Sequence, residues 1–159
     1  MLLIATIFAS AGHRASDLSP AEFLVIFPTM WLTILYVLSW LGGWRALADV
    51  YADPTPFDGE RFHMRSGTMR ASVNYGSCLT FGANREGLRL KVFPIFRFAH
   101  APLFFPWSDV GGVRKKFLFF SSTVLTFKRC PGIPLRISDR LASDLERCSS
   151  GAFAVSPPN

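Results

Sequence analysis

Nineteen consecutive residues, Phe23 to Leu41 (FLVIFPTMWLTILYVLSWL), carry no charge. As a helix rising about 1.5 Å per residue, the run reaches roughly 28 Å, close to the ~30 Å hydrocarbon thickness of a bilayer. The pattern predicts a transmembrane helix over residues 21–41. Trp31, Trp40 and Trp44 are spread along it, the last two near the end where an aromatic belt would sit. Pro28 removes one backbone hydrogen bond, which membrane helices accept as a kink. A buried core helix is the alternative, but a remaining domain of about a hundred residues could hardly wrap a helix apolar on every side.

Beyond Gly42-Gly43 the apolar positions narrow to one face. Trp44, Leu47, Ala48 and Tyr51 recur at i, i+3, i+4 and i+7, with Arg45, Asp49 and Asp53 elsewhere. This predicts a juxtamembrane amphipathic helix over 42–53, lying on headgroups or packed on a domain. Asp53-Pro54-Thr55-Pro56 stops it, because the residue before a proline disfavours helix.

From Glu60 the period drops to two. Glu60 to Arg65 alternates, Ser66-Gly67 reads as a turn, and Thr68 to Asn74 leads back. Ser77 to Phe81 and Leu88 to Phe93 follow as strands, the second with Leu88, Leu90 and Val92 facing opposite to Arg89, Lys91 and Phe93. Pro94 to Pro106 is aromatic and proline-interrupted, fitting an edge strand or extended loop. Val113 to Phe120 and Thr123 to Arg129 read as a hairpin around Ser121-Ser122, and Ile133 to Ile137 as a last strand. Ser138 then caps a helix with Leu141, Ala142, Leu145 and Cys148 on its apolar face. Residues 151–159 are expected to be a disordered tail. The fold class is thus a membrane helix plus a mainly β domain over 56–150, a bent sandwich or partly open barrel of about seven strands capped by a C-terminal α-helix.

Ahead of the span, Leu2 to Ala11 is apolar but too short to cross a bilayer. Ala9-Ser10-Ala11 resembles a signal-peptidase site, yet no Lys or Arg precedes it and the segment is short for such a peptide. Residues 1–20 are read as interfacial or disordered.

Charge adds a direction. The chain carries a formal net charge of +6. From Arg61 to Ile137 there are thirteen Lys or Arg against two acids, Glu86 and Asp109. Before the span Arg14 stands against Asp17 and Glu22. The positive-inside rule therefore places the β-domain on the cytoplasmic side of a cell membrane, with Arg45, Arg61 and Arg65 nearest the span. Cys78, Cys130 and Cys148 are too widely spaced for a metal pair and odd in number, so they read as small apolar residues in a reducing compartment.

The order of elements resembles the pleckstrin-homology-like superfold in its GRAM-like and bacterial membrane-anchored forms. Gly87-Leu88-Arg89-Leu90, the segment from Ala101 to Val110, and the helix from Ser138 to Cys148 carry the likeness, which covers about Pro56 to Cys148. The resemblance implies a bent sandwich with one end plugged by the helix, and binding of lipid headgroups, peptides or proteins without catalysis. The terminal helix has no tryptophan, and Arg61 to Arg70 lacks the Lys-then-Arg-x-Arg arrangement of phosphoinositide binders. A phosphoinositide pocket is therefore not carried over.

Two basic clusters are the candidate sites for an anionic headgroup. With a turn at Ser121-Ser122, Lys115 would face Lys128 and Arg114 would face Arg129, with Lys116 alongside; such opposed like charges call for an anion between them. The second cluster is Arg61, Arg65 and Arg70 around Ser66-Gly67, where turn amides would help hold a phosphate. Solvated surface charge accounts for either cluster without a ligand. The run Phe93, Phe96, Phe98, Phe104, Phe105 and Trp107 fills a small core or presses on an interface or partner.

His13, His63 and His100 stand apart from acids and cysteines at ligand spacing, so no metal and no cofactor is expected. No glycine-framed serine accompanies His100, Ser108 and Asp109, and Gly111-Gly112 lacks a phosphate-loop frame. The expectation is a non-enzymatic, single-pass membrane protein binding anionic phospholipid. A membrane-tethered scaffold, binding an unknown membrane or cytoplasmic protein through a sheet edge or aromatic surface, is the alternative. The membrane tether argues against nucleic acid despite the basic balance.

Overall fold

The computed structural model describes residues 19–70, 72–117 and 120–157. The expectation for the first eighteen residues lies outside them. The chain divides into two compact units, with the boundary between Ile34 and Leu35.

The first unit is the leading part of α1, Pro20–Leu41. Ser19 and Glu22 form a reciprocal cap: the Glu22 N–H donates to Ser19 Oγ at 3.3 Å, and the Ser19 N–H to Glu22 Oε2 at 2.9 Å. Pro20 occupies the first helical position, where its missing N–H costs nothing. The two threonine hydroxyls of this apolar stretch are satisfied within the helix, Thr29 donating to Val25 O at 2.7 Å and Thr33 to Thr29 O at 2.8 Å. Twenty-two residues span about 33 Å. Among the described residues this is the one helix long and apolar enough to cross a membrane, by length and composition.

The second unit begins with the last turns of α1, where Leu35 and Ser39 are buried four residues apart. Helix α2, Trp44–Tyr51, follows and sinks Trp44, Leu47 and Tyr51 into the core. Of the two placements open to this amphipathic segment, packing on the domain is the one observed. Eight strands then form one curled half-barrel sheet in the order β4-β3-β2-β1-β7-β6-β5-β8. They are β1 Glu60–Met69, β2 Val73–Ala83, β3 Gly87–Val92, β4 Leu103–Pro106, β5 Val110–Phe117, β6 Phe120–Phe127, β7 Leu135–Ser138 and β8 Val155–Ser156. Helix α3, Asp139–Cys148, packs against β6 and β7 and is capped by Ser138 Oγ, which accepts from the Leu141 N–H.

The concave side is filled by alternate residues. Phe81, Leu88, Leu90, Phe105, Leu125, Phe127 and Leu145 are fully enclosed. Phe105 and Phe127 stack at 4.1 Å, and Tyr51 of α2 meets Phe105 at 4.7 Å. β4 is an edge strand, as its prolines require.

Three expectations are corrected. Ser66-Gly67 is not a turn but the bulged middle of β1. Gly67 is small because Leu135 and Leu79 methyls would lie 3.0 Å from a Cβ there. Ser66 Oγ accepts the Ser77 N–H at 2.9 Å, where β2 departs from regular pairing. The chain reverses after Met69 instead, with Arg70 at φ +49. Likewise Ser121-Ser122 lies inside β6, since Phe117 pairs with Phe120. Pairing Val110 with Phe127 and Gly112 with Leu125 keeps these buried positions together; the expected register would set Lys116 beside Phe127. The tail is ordered as far as described: Phe153 is buried, stacked on Trp107 at 5.1 Å, and β8 pairs in parallel with β5.

Candidate functional site

The hairpin cluster does not assemble. Lys115 faces Ser122, Lys116 faces Ser121 and Arg114 faces Thr123. Arg114 approaches Asp139 at 3.7 Å, and the same carboxylate accepts from the Thr123 hydroxyl at 2.7 Å. Arg129 pairs with Asp109 at 2.7 Å and lies over the Tyr51 ring, while the Lys128 N–H donates to the Asp109 carbonyl. The predicted Lys115–Lys128 and Arg114–Arg129 oppositions do not form: Lys115 stands opposite Ser122, and the two arginines approach carboxylates instead.

The second cluster is dispersed by the long β1. Arg65 lines a shallow depression with Arg136 and Ser122. Arg70 packs against Gly43, whose φ of +76 and close neighbours leave no room for a side chain. Arg61 lies apart from both, in a second basic cavity.

That cavity, about 410 Å³, opens on the face of β1, β2 and β3 away from the core. The register builds it in two rows. Arg61 faces Gly82, which faces Arg89; Thr80 faces Lys91. His63 reaches toward Thr80, with Nδ1 3.4 Å from Oγ1. Phe93, Pro94, Arg97 and His100 close it from the loop after β3, and Phe57 covers Gly82. Among the described residues no carboxylate lines it.

The four cations have different duties. Arg61 donates Nη2 to Phe57 O at 2.7 Å. Arg89 is buried; it donates Nη1 to Thr55 O and Nη2 to Asp53 O, with the Asp53 carboxylate 3.6 Å away. Its Nε finds no protein partner. Hydrogen bonds from the Thr55 hydroxyl and N–H, and then Arg89, hold the Asp53 carboxyl below its usual range. Burial first, and then repulsion from Arg89, Arg61 and Arg97, push the Lys91 ammonium below its ordinary value. An anion placed here would relieve that repulsion.

His100 belongs to the wall rather than to the ligand space. Its Nδ1 donates to Phe98 O at 2.9 Å and its Nε2 accepts from the Tyr75 hydroxyl at 3.2 Å, an assignment made from the partners. Burial lowers its pKa and raises that of Tyr75, so both are neutral at pH 7. Burial, followed by Glu60, pushes the Cys148 thiol up to about 11, a direction opposite to that of an activated nucleophile. No group of three metal-ligating side chains occurs among the described residues.

Sequence reasoning placed Arg89 and Lys91 on one strand face without making them a site. The signal was present in their alternation with Leu88, Leu90 and Val92, but Arg61 and Arg97 join them only through strand register and a loop fold. No family model matches this chain, and no curated protein matches it.

Proposed function

We propose that this chain is a non-enzymatic, single-pass membrane protein whose β-domain, PH-like and cytoplasmic, binds the phosphate of anionic lipid headgroups. One observation carries the reading: Arg61, Arg89, Lys91 and Arg97 line a cavity free of carboxylates. Arg89 is occupied with backbone carbonyls and sets the floor, leaving Arg61, Lys91 and Arg97 for the ligand. Near an anionic leaflet each such side chain contributes about 1 kcal/mol of attraction. A tether such as α1 keeps the local concentration of lipid high, so modest affinity suffices.

The scaffold alternative is less favoured at one of its two surfaces. The β4 edge is partly covered, because Ala52 bridges to Leu103 and the Asp53 N–H donates to Pro102 O at 3.0 Å.

The test uses full-length protein in nanodiscs of mixed phosphatidylcholine and phosphatidylglycerol, with lipid retained after detergent exchange identified by mass spectrometry. The unsubstituted chain should retain phosphatidylglycerol preferentially. Lys91→Glu with Arg97→Glu should abolish the preference, while Lys115→Glu with Lys116→Glu should leave most of it. Equal retention of both lipids by the unsubstituted chain would remove the reading.

A further inference from the structure

The loop between β3 and β4 exposes three large apolar side chains. Phe93, Ile95 and Phe98 are 52%, 62% and 51% exposed, although Phe and Ile rank among the residue types most often inside. The backbone beneath them is tightly wound. The Phe96 N–H donates to Phe93 O, Arg97 to Pro94 O, and His100 to Arg97 O, at 2.9, 3.1 and 3.0 Å. Ala99 is held at φ +60. This exposure is therefore a built feature of the loop.

One hydrogen bond ties the loop to the end of the apolar helix, and a second ties it to the start of α2. Ser39 Oγ donates to Ala99 O at 2.6 Å, and Trp44 Nε1 donates to Ala101 O at 2.9 Å. Ser39 is buried and sits two residues before the last residue of α1, about 3 Å along the axis. In the same turn Trp40 is 65% exposed, an aromatic of the kind that marks the lipid–water interface. The loop is thus fixed beside the last turn of α1, which carries Trp40.

We infer that residues 93–98 form a second membrane contact, with Phe93, Ile95 and Phe98 entering the acyl boundary and Arg97 staying at phosphate depth. The occupant of this apolar surface is the bilayer itself. Continuity with the terminal turn of α1 argues for that, and so does charge, since the cavity beside the loop is basic and lacks carboxylates. Because Phe93, Pro94 and Arg97 also line the cavity, insertion sets its mouth in the headgroup layer. The inference rests on the membrane-tethered reading above and makes lipid phosphate, rather than a soluble anion, the group within reach.

The test replaces Ile95 or Phe98 with p-benzoylphenylalanine in the full-length chain, in nanodiscs of phosphatidylcholine with and without phosphatidylglycerol. Thr126, exposed on β6, is the control position. After irradiation, mass spectrometry should find lipid adducts several-fold more often at 95 and 98 than at 126. Absent adducts, equal yields at all three sites, or crosslinks in native membranes that go to a protein instead would overturn the inference. Lipid adducts with unselective lipid retention would leave the wedge standing and remove the headgroup reading; selective retention without adducts would do the reverse.

Discussion

Replacing Arg89 with methionine keeps most of the side chain's length and removes its charge. Arg89 is 2% exposed and donates to the carbonyls of Thr55 and Asp53. Its guanidinium lies 5.5 Å from the centre of the Phe57 ring. Hydrogen bonds from a charged donor contribute about 1.5–3 kcal/mol each, and the cation–π contact about 1 kcal/mol. Against these stands the desolvation of a buried cation, several kcal/mol, which methionine recovers. Breaking a buried pair typically costs about 3–5 kcal/mol. Asp53 is 30% exposed and keeps the Thr55 N–H and hydroxyl as partners, so the cost is centred on the lower end of that range, about 2–4 kcal/mol. At roughly 3–5 °C per kcal/mol for a domain of this size, Tm should fall by about 6–20 °C. The melt is followed on the full-length chain in detergent by strand circular dichroism and by fluorescence of the buried Trp44 and Trp107. Arg89→Lys, which keeps the charge but loses the two-pronged fork, should fall between the two. A Tm unchanged to within about 2 °C would refute the assignment of Arg89 as the floor of the cavity.

Three further outcomes follow from the same packing. Phe153→Ala should cost about 3–5 kcal/mol in a denaturant melt, because the ring is buried against Trp107 and Gly112; a loss below about 1 kcal/mol would mean that the tail is not part of the core. Gly82→Val should cost about 1–3 kcal/mol and weaken phosphatidylglycerol retention, since a Cβ would sit 2.6 Å from a Phe57 ring atom and displace the ring over Arg89. Burial lowers the His100 pKa, so the folded state binds fewer protons than the unfolded chain. Its contribution to stability is full above the unfolded value of about 6.5 and is lost as pH falls below it. Tm should therefore drop between pH 7 and pH 5.5, and His100→Phe should show a smaller drop over that interval; an unchanged slope would exclude His100 as its source.

Elements with strong local patterns were readable in advance. The charge-free run became α1, the i, i+3, i+4, i+7 face of Trp44 to Tyr51 became α2, and Ser138 capped α3. Leu88, Leu90 and Val92 did face opposite to Arg89 and Lys91. The two misplaced turns share one cause. Serine and glycine mark turns, but they also fit where a neighbouring strand needs a hydroxyl or an absent Cβ. Ser66 serves a bulge, Gly67 makes room for Leu135, and Ser121-Ser122 face Lys116 and Lys115. The aromatic run divided in the same way: Phe105 and Trp107 fill the core, whereas Phe93 and Phe98 face outward.

Neighbours along the backbone were enough to specify a long apolar helix, an alternating β-rich body and a capped terminal helix, because helix and strand periods are local properties of the chain. The grouping of Arg61, Arg89, Lys91 and Arg97 came from folding alone. These positions lie up to thirty-six residues apart; the register of β1, β2 and β3 aligns the first three, and the fold of the loop after β3 adds Arg97. That register is set by which apolar side chains fill the opposite face, so the basic cavity is a consequence of the core beneath it.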